Sequence, residues 1–144
     1  MFKEFLFAFL ATLGFGVLFN IKEKKLLFSA IGGGLSWTIF SILLNNNLSL
    51  IYSTFIAAIC VSIYSEIMAR LFKTPVTIFV VPSIIPLVPG GSLYYTMIES
   101  INGKYQAAFS KAIETFQLAA VIAVAIVLIS SLTRIVNYKK NKPI

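Results

Sequence analysis

Long apolar runs, each bounded by a short charged or polar cluster, organise this sequence and predict helices long enough to cross a bilayer. The first runs from about Phe5 to Phe19, with Lys3 and Glu4 before it and Lys22, Lys24 and Lys25 after it. The second covers about Leu26 to Leu44 and the third about Leu48 to Phe72, with the polar turn Asn45-Asn46-Asn47 between them. A fourth extends from about Val76 to Ile98 and gives way to a polar connection through Glu99, Asn102 and Gly103. From Lys104 to Thr115, Tyr105, Ala108, Phe109, Ala112, Ile113 and Phe116 fall at helical spacing, while Lys104, Lys111 and Glu114 take other positions. That stretch reads as an amphipathic helix that either extends the last span or lies in the interface. The fifth run, about Phe116 to Leu132, ends at Arg134, Lys139, Lys140 and Lys142. The expectation is an all-α integral membrane protein of five transmembrane helices in a single domain, residues 1–144.

The fourth run is not a plain helix. The stretch from Thr74 to Tyr95 that contains its first part holds Pro75, Pro82, Pro86 and Pro89, four of the chain's five prolines, with Gly90 and Gly91 after the last. Each proline removes a backbone donor and clashes with the preceding turn, so the helix is interrupted and its carbonyls need other partners. In a bilayer such backbone is tolerated only where protein buries it or it lines a watery cavity, as in the broken helices of transporters. The amides after Pro89, at Gly90, Gly91 and Ser92, open a new half-helix whose positive end suits an anionic group. Pro86, Pro89, Gly90, Gly91, Ser92, Tyr94 and Tyr95 are therefore candidate substrate-binding residues. The alternative is a kink that only shapes the bundle.

Composition agrees with a membrane location. The 144 residues are 58% hydrophobic and 12% charged, against roughly 25% charged in soluble domains. The net charge of +7 does not suggest nucleic acid, because the basic residues sit at the ends of apolar runs rather than in a stripe with stacking aromatics. They set orientation instead. With five crossings and a cytoplasmic carboxyl end, nine of the 12 basic residues lie inside and only Lys3, Lys104 and Lys111 outside, which places the amino terminus outside. Residues 14–20 offer no small-residue cleavage site, so the first run reads as a span rather than a signal peptide.

In the second run Ser29/Gly33, Ala30/Gly34 and Gly32/Ser36 recur four apart, which lets helices approach closely. Gly14 and Gly16 are expected to pack in the same way. In the third run Ala58, Ser62, Glu66 and Arg70 share a face, which makes Glu66 and Arg70 candidates for an ion pair or for coupling to protons. Trp37, Tyr52, Tyr94, Tyr95 and Tyr138 suit interface anchoring. The chain has one cysteine, Cys60, and no histidine or aspartate, which removes zinc sites and Ser-His-Asp chemistry. Gly32-Gly33-Gly34 lacks the lysine of a phosphate-binding loop. No enzyme, metal or cofactor is expected.

The segments Gly14-Phe15-Gly16-Val17-Leu18-Phe19-Asn20 and Ile84-Ile85-Pro86-Leu87-Val88-Pro89-Gly90-Gly91, the second followed by Tyr94, Tyr95 and Met97, resemble the threonine/serine exporter family. The chain is similar to that family's small subunit, equivalent to the carboxyl-terminal membrane half of the single-chain exporters. The resemblance implies secondary export of small polar metabolites, threonine and serine or dicarboxylates such as succinate, driven by the proton gradient. It also implies a bacterial plasma-membrane location and a second membrane subunit as partner. A non-transporting scaffold or assembly subunit and a channel-like pore component are the alternatives.

Overall fold

The computed structural model describes residues 2–140, with side chains through residue 135. Lys142 lies outside the described residues, as do the side chains of Tyr138, Lys139 and Lys140. The chain forms α1 (Phe2–Leu18), α2 (Glu23–Asn45), α3 (Leu50–Leu71), α4 (Thr77–Ile84), a 3-10 turn (Ile85–Leu87), α5 (Gly90–Ile101) and α6 (Tyr105–Lys140), with no strand among the described residues. The described residues form six α-helices from the five apolar runs, because the fourth run divides at Val88 and Pro89. The 104–115 stretch adds no helix of its own, since it is continuous with the last span inside α6.

Four of the helices stop in the same way. After α1, Asn20 takes φ 57°, Ile21 N–H donates to Gly16 O and Asn20 N–H to Val17 O. This is the Schellman arrangement, which satisfies carbonyls left open at a helix end. Asn47 closes α2, Lys73 closes α3 and Gly103 closes α5 with the same pair of bonds, each at positive φ. Asparagine and glycine tolerate that conformation, whereas Lys73 holds it against steric cost.

Helix α2 is packed by α1, α3 and α4, and α3 by α2, α4 and α6. Ala57, Ala58 and Val61 of α3 meet Val80, Ile84 and Leu87 from the proline-rich segment and Ile122 and Ala125 of α6 in one buried cluster. Small residues dominate the α3 side, which brings the backbones close where lipid supplies no hydrophobic drive. Helix α5 contributes no buried residue and lies along the first part of α6.

Three helices, α2, α3 and residues 105–135 of α6, are long and apolar enough to cross a membrane, and α4 with α5 makes a fourth if the bent pair is one span. Helix α1 has 17 residues, about 26 Å at 1.5 Å per residue, short of a roughly 30 Å hydrocarbon core. The count of crossings from length and composition is thus three to four, below the five read from the sequence. At 36 residues, about 54 Å, α6 is longer than the bilayer requires.

Candidate functional site

Pro82, Pro86 and Pro89 each deprive the carbonyl four residues earlier of its usual donor, and each of those three carbonyls has found another. Pro82 leaves Ile78 O open, and the Ser29 hydroxyl of α2 donates to it at 3.0 Å. Pro86 leaves Pro82 O open, and Ile85 N–H closes onto it. Pro89 leaves Ile85 O open, and Val88 N–H donates to it at 3.1 Å. The break is therefore satisfied within the chain. A further bond fastens it to α2, where Ser83 Oγ donates to Ser29 O at 3.0 Å, and beside it Tyr64 Oη of α3 donates to Phe28 O of α2 at 2.8 Å.

The glycine triplet of α2 makes these bonds reachable. Successive residues point about 100° apart around a helix, so the three glycines address different neighbours. An added Cβ would overlap Ser83 at Gly32, Thr12 at Gly33 and the Phe5 ring at Gly34. Gly16 is approached by Leu26, whereas nothing lies within 4 Å of such an atom at Gly14, Gly90 or Gly91. Ser29 and Ser36 are fully buried.

After the break the chain turns by 49° into α5. Pro86, Pro89 and Ser92 are half-buried, and Gly90, Gly91, Tyr94 and Tyr95 are exposed. Gly90 N–H folds back onto Val88 O at 2.7 Å, and the Gly91 and Ser92 amides lie in the first turn of α5, where a helix leaves its N–H groups without helical partners. On this chain alone the segment is an outward-facing bend, so a solute held there needs a further wall. The Ser92 hydroxyl donates to Glu114 Oε1 at 2.7 Å, and Lys111 Nζ donates to Glu114 Oε2 at 2.8 Å. Arg134 lies twenty positions after Glu114 on α6, about 30 Å of helix.

At the opposite end, Glu66 and Arg70 are one turn apart on α3 without forming an ion pair; Lys104–Glu99 and Lys111–Glu114 do pair among the described residues. Glu66 and Arg70 instead line a hollow of about 470 Å³ together with Lys73, Thr74, Thr133 and Arg134. Lys22 and Lys25 line a neighbouring hollow with Ile78 of α4. The basic turns after α1 and α3 and the basic end of α6 thus gather at one end of the bundle.

Residues 4–132 match the family described as Threonine/Serine exporter, ThrE. The chain belongs to the threonine/serine exporter family. That family is one of transporters, which agrees with a multi-pass membrane protein that is not an enzyme. An uncharacterized protein of Haemophilus influenzae is 28% identical over 145 residues, covering 98% of this chain and 48% of the relative. The chain therefore spans about half the length of that curated relative. No solved structure matches it.

Within this exporter-family chain, several residues that organise the candidate site were not singled out by the sequence pattern. Ser83 and Tyr64 look like ordinary interior positions until α4 is seen to run beside α2. Lys111 and Glu114 appear only as the polar face of a helix, and their link to Ser92 depends on α5 folding back. Lys73, Thr74, Thr133 and Arg134 join Glu66 only in three dimensions. The one readable signal was Pro82, which marks Ile78 O as a carbonyl in need of a donor.

Proposed function

We propose that this chain is one membrane subunit of a secondary exporter of small polar metabolites, threonine and serine or dicarboxylates such as succinate, coupled to the proton gradient and completed by a second membrane subunit. The family match over residues 4–132 carries the reading. The relative that is about twice as long supports the need for a partner. So does the α5–α6 arm, where α5 buries nothing and carries Ser92 against the Glu114–Lys111 pair. Charged groups facing lipid are costly, and a second subunit laid along the arm would cover them.

In this reading the α4–α5 pair crosses as one bent span, α1 crosses with local thinning or tilt of its neighbours, and the topology has five spans with the amino terminus outside and the carboxyl terminus in the cytoplasm of a bacterial plasma membrane. The gathering of the basic turns at one end supports that orientation. Gly90, Gly91 and Ser92 offer amides to the carboxylate of the solute, Tyr94 and Tyr95 flank it, and the partner closes the other side. Glu66, unpaired beside Arg70, is the carboxylate available for protonation during transport.

The test is reconstitution of this chain with and without its partner in proteoliposomes, followed by counterflow of labelled threonine, serine and succinate. Counterflow of at least one solute only with both chains is expected. No counterflow of any of the three with both chains correctly inserted removes the exporter reading.

A further inference from the structure

The hollow at the basic end has a second compartment. Beside the polar hollow of about 470 Å³ lies a smaller one of about 210 Å³, and Glu66, Arg70 and Thr133 line both. The smaller one is completed by Ile63, Ile67 and Leu132, all of them exposed on the outer faces of α3 and α6. Ile63 and Ile67 precede Arg70 on α3, and Leu132 precedes Arg134 on α6, so the apolar compartment lies on the bilayer side of the basic one.

Charge and hydrogen bonding define what fits. Arg70, Lys73 and Arg134 outnumber Glu66 three to one around the polar hollow, an excess of two positive charges. None of the four forms an ion pair with another described residue. The Thr74 hydroxyl, shielded from solvent, also lacks a hydrogen-bond partner among the described residues. The site thus presents donors to an oxyanion and, directly beside them, an apolar channel that runs along two membrane helices. A free carboxylate or phosphate fills only the first compartment. A molecule with an anionic head and a hydrocarbon tail fills both.

We infer that this groove between α3 and α6 binds an anionic phospholipid, with the phosphate among Arg70, Lys73 and Arg134 and one acyl chain against Ile63, Ile67 and Leu132. Guanidinium groups hold phosphate oxygens in pairs, and basic pockets between helices on the cytoplasmic side suit lipid headgroups. The site is separate from the Pro-Gly bend but shares Glu66 and Arg70 with the proposed proton-coupling position, and its test reads bound lipid rather than transport.

The full chain, purified in neutral detergent with any subunit that accompanies it, is titrated with phosphatidylglycerol and with phosphatidylcholine of the same acyl chains, and in separate arms with inorganic phosphate and with succinate. Bound lipid is counted by native mass spectrometry and its effect read from the melting temperature. Phosphatidylglycerol is expected to bind about ten-fold more tightly than phosphatidylcholine, because a choline cation opposes the excess positive charge. Arg70→Gln and Arg134→Gln should each weaken it about five-fold, the weight of one basic residue near an anionic surface. Ile67→Asn should weaken it as well, whereas Lys104→Gln, at the far end, should not. Arg134 lies on an exposed stretch of α6, so its variant keeps the measurement available if Arg70→Gln does not fold. Equal binding by the wild type and the arginine variants overturns the site. Inorganic phosphate or succinate competing at the same concentration as the lipid overturns the lipid assignment in favour of a free anion.

Discussion

The bond from Ser29 to Ile78 O exists because Pro82 has no N–H to give, and that dependence can be measured. Ser29→Ala removes the donor and leaves a carbonyl in the packed seam between α2 and α4, with Ser29 fully buried. An unsatisfied buried group costs about 1–3 kcal/mol in soluble proteins, while hydrogen bonds between membrane helices average about 0.6 and reach about 1.7 kcal/mol. The two ranges overlap near about 1 kcal/mol, or roughly five-fold in the folding equilibrium. Pro82→Ala restores an N–H four residues after Ile78, so the carbonyl gains a helical donor and Ser29 becomes dispensable. A double-mutant cycle in mixed micelles, unfolded with a denaturing detergent, should show a coupling energy of about that size between the two positions. If Ser29→Ala costs the same in both backgrounds, the hydroxyl is not standing in for the missing amide and the account of the break is wrong.

The remaining expectations use the same assay or the transport assay. Gly33→Ala should destabilise the fold by about 1–3 kcal/mol through overlap with Thr12, and Thr12→Ala should recover part of the loss, since it removes the overlapping Oγ1 and Cγ2; Gly14→Ala, with free space around it, should be close to neutral. Lys73→Gly should raise the unfolding free energy by about 0.5–1 kcal/mol by relieving the left-handed backbone at φ 49°; an unchanged or lower value would mean that the turn is not strained. A Cβ at Gly90 meets no neighbour within 4 Å, so Gly90→Ala should leave this chain folded, and a loss of counterflow would then report on the solute or the partner. Glu66→Gln should abolish the pH dependence of transport if that carboxylate carries the proton; pH-dependent transport that persists unchanged would exclude it.

Much of the architecture was legible because a bilayer imposes length. The predicted second and third runs, Leu26 to Leu44 and Leu48 to Phe72, match α2 and α3 to within three residues at each end. The small residues of α2 could be read as a packing surface, but not that Gly32, Gly33 and Gly34 serve three different contacts, since that depends on how α1 and α4 cross α2. Spacing suggested that Glu66 and Arg70 would pair; a helical pair of this kind is worth only a few tenths of a kcal/mol, and Arg70 lies instead beside Lys73 and Arg134. The division of the fourth run could be anticipated from its prolines, but not the separate direction of α5, whose polar contact with α6 comes from residues more than twenty positions downstream. Pro75 marks a helix end nearby, but not that Lys73 would take the left-handed position, which glycine or asparagine usually fills.

The proline-broken segment has one electrical sense. Its three displaced carbonyl oxygens are already engaged by Ser29, Ile85 and Val88, while the amides at Gly91 and Ser92 open the next helix. Each of those oxygens already accepts one hydrogen bond, which leaves it a single lone pair for any further ligand. On the proposed reading the first-turn amides give the bend a bias toward the negative end of a solute, which leaves Glu66 rather than the break as the group that would answer to the driving ion.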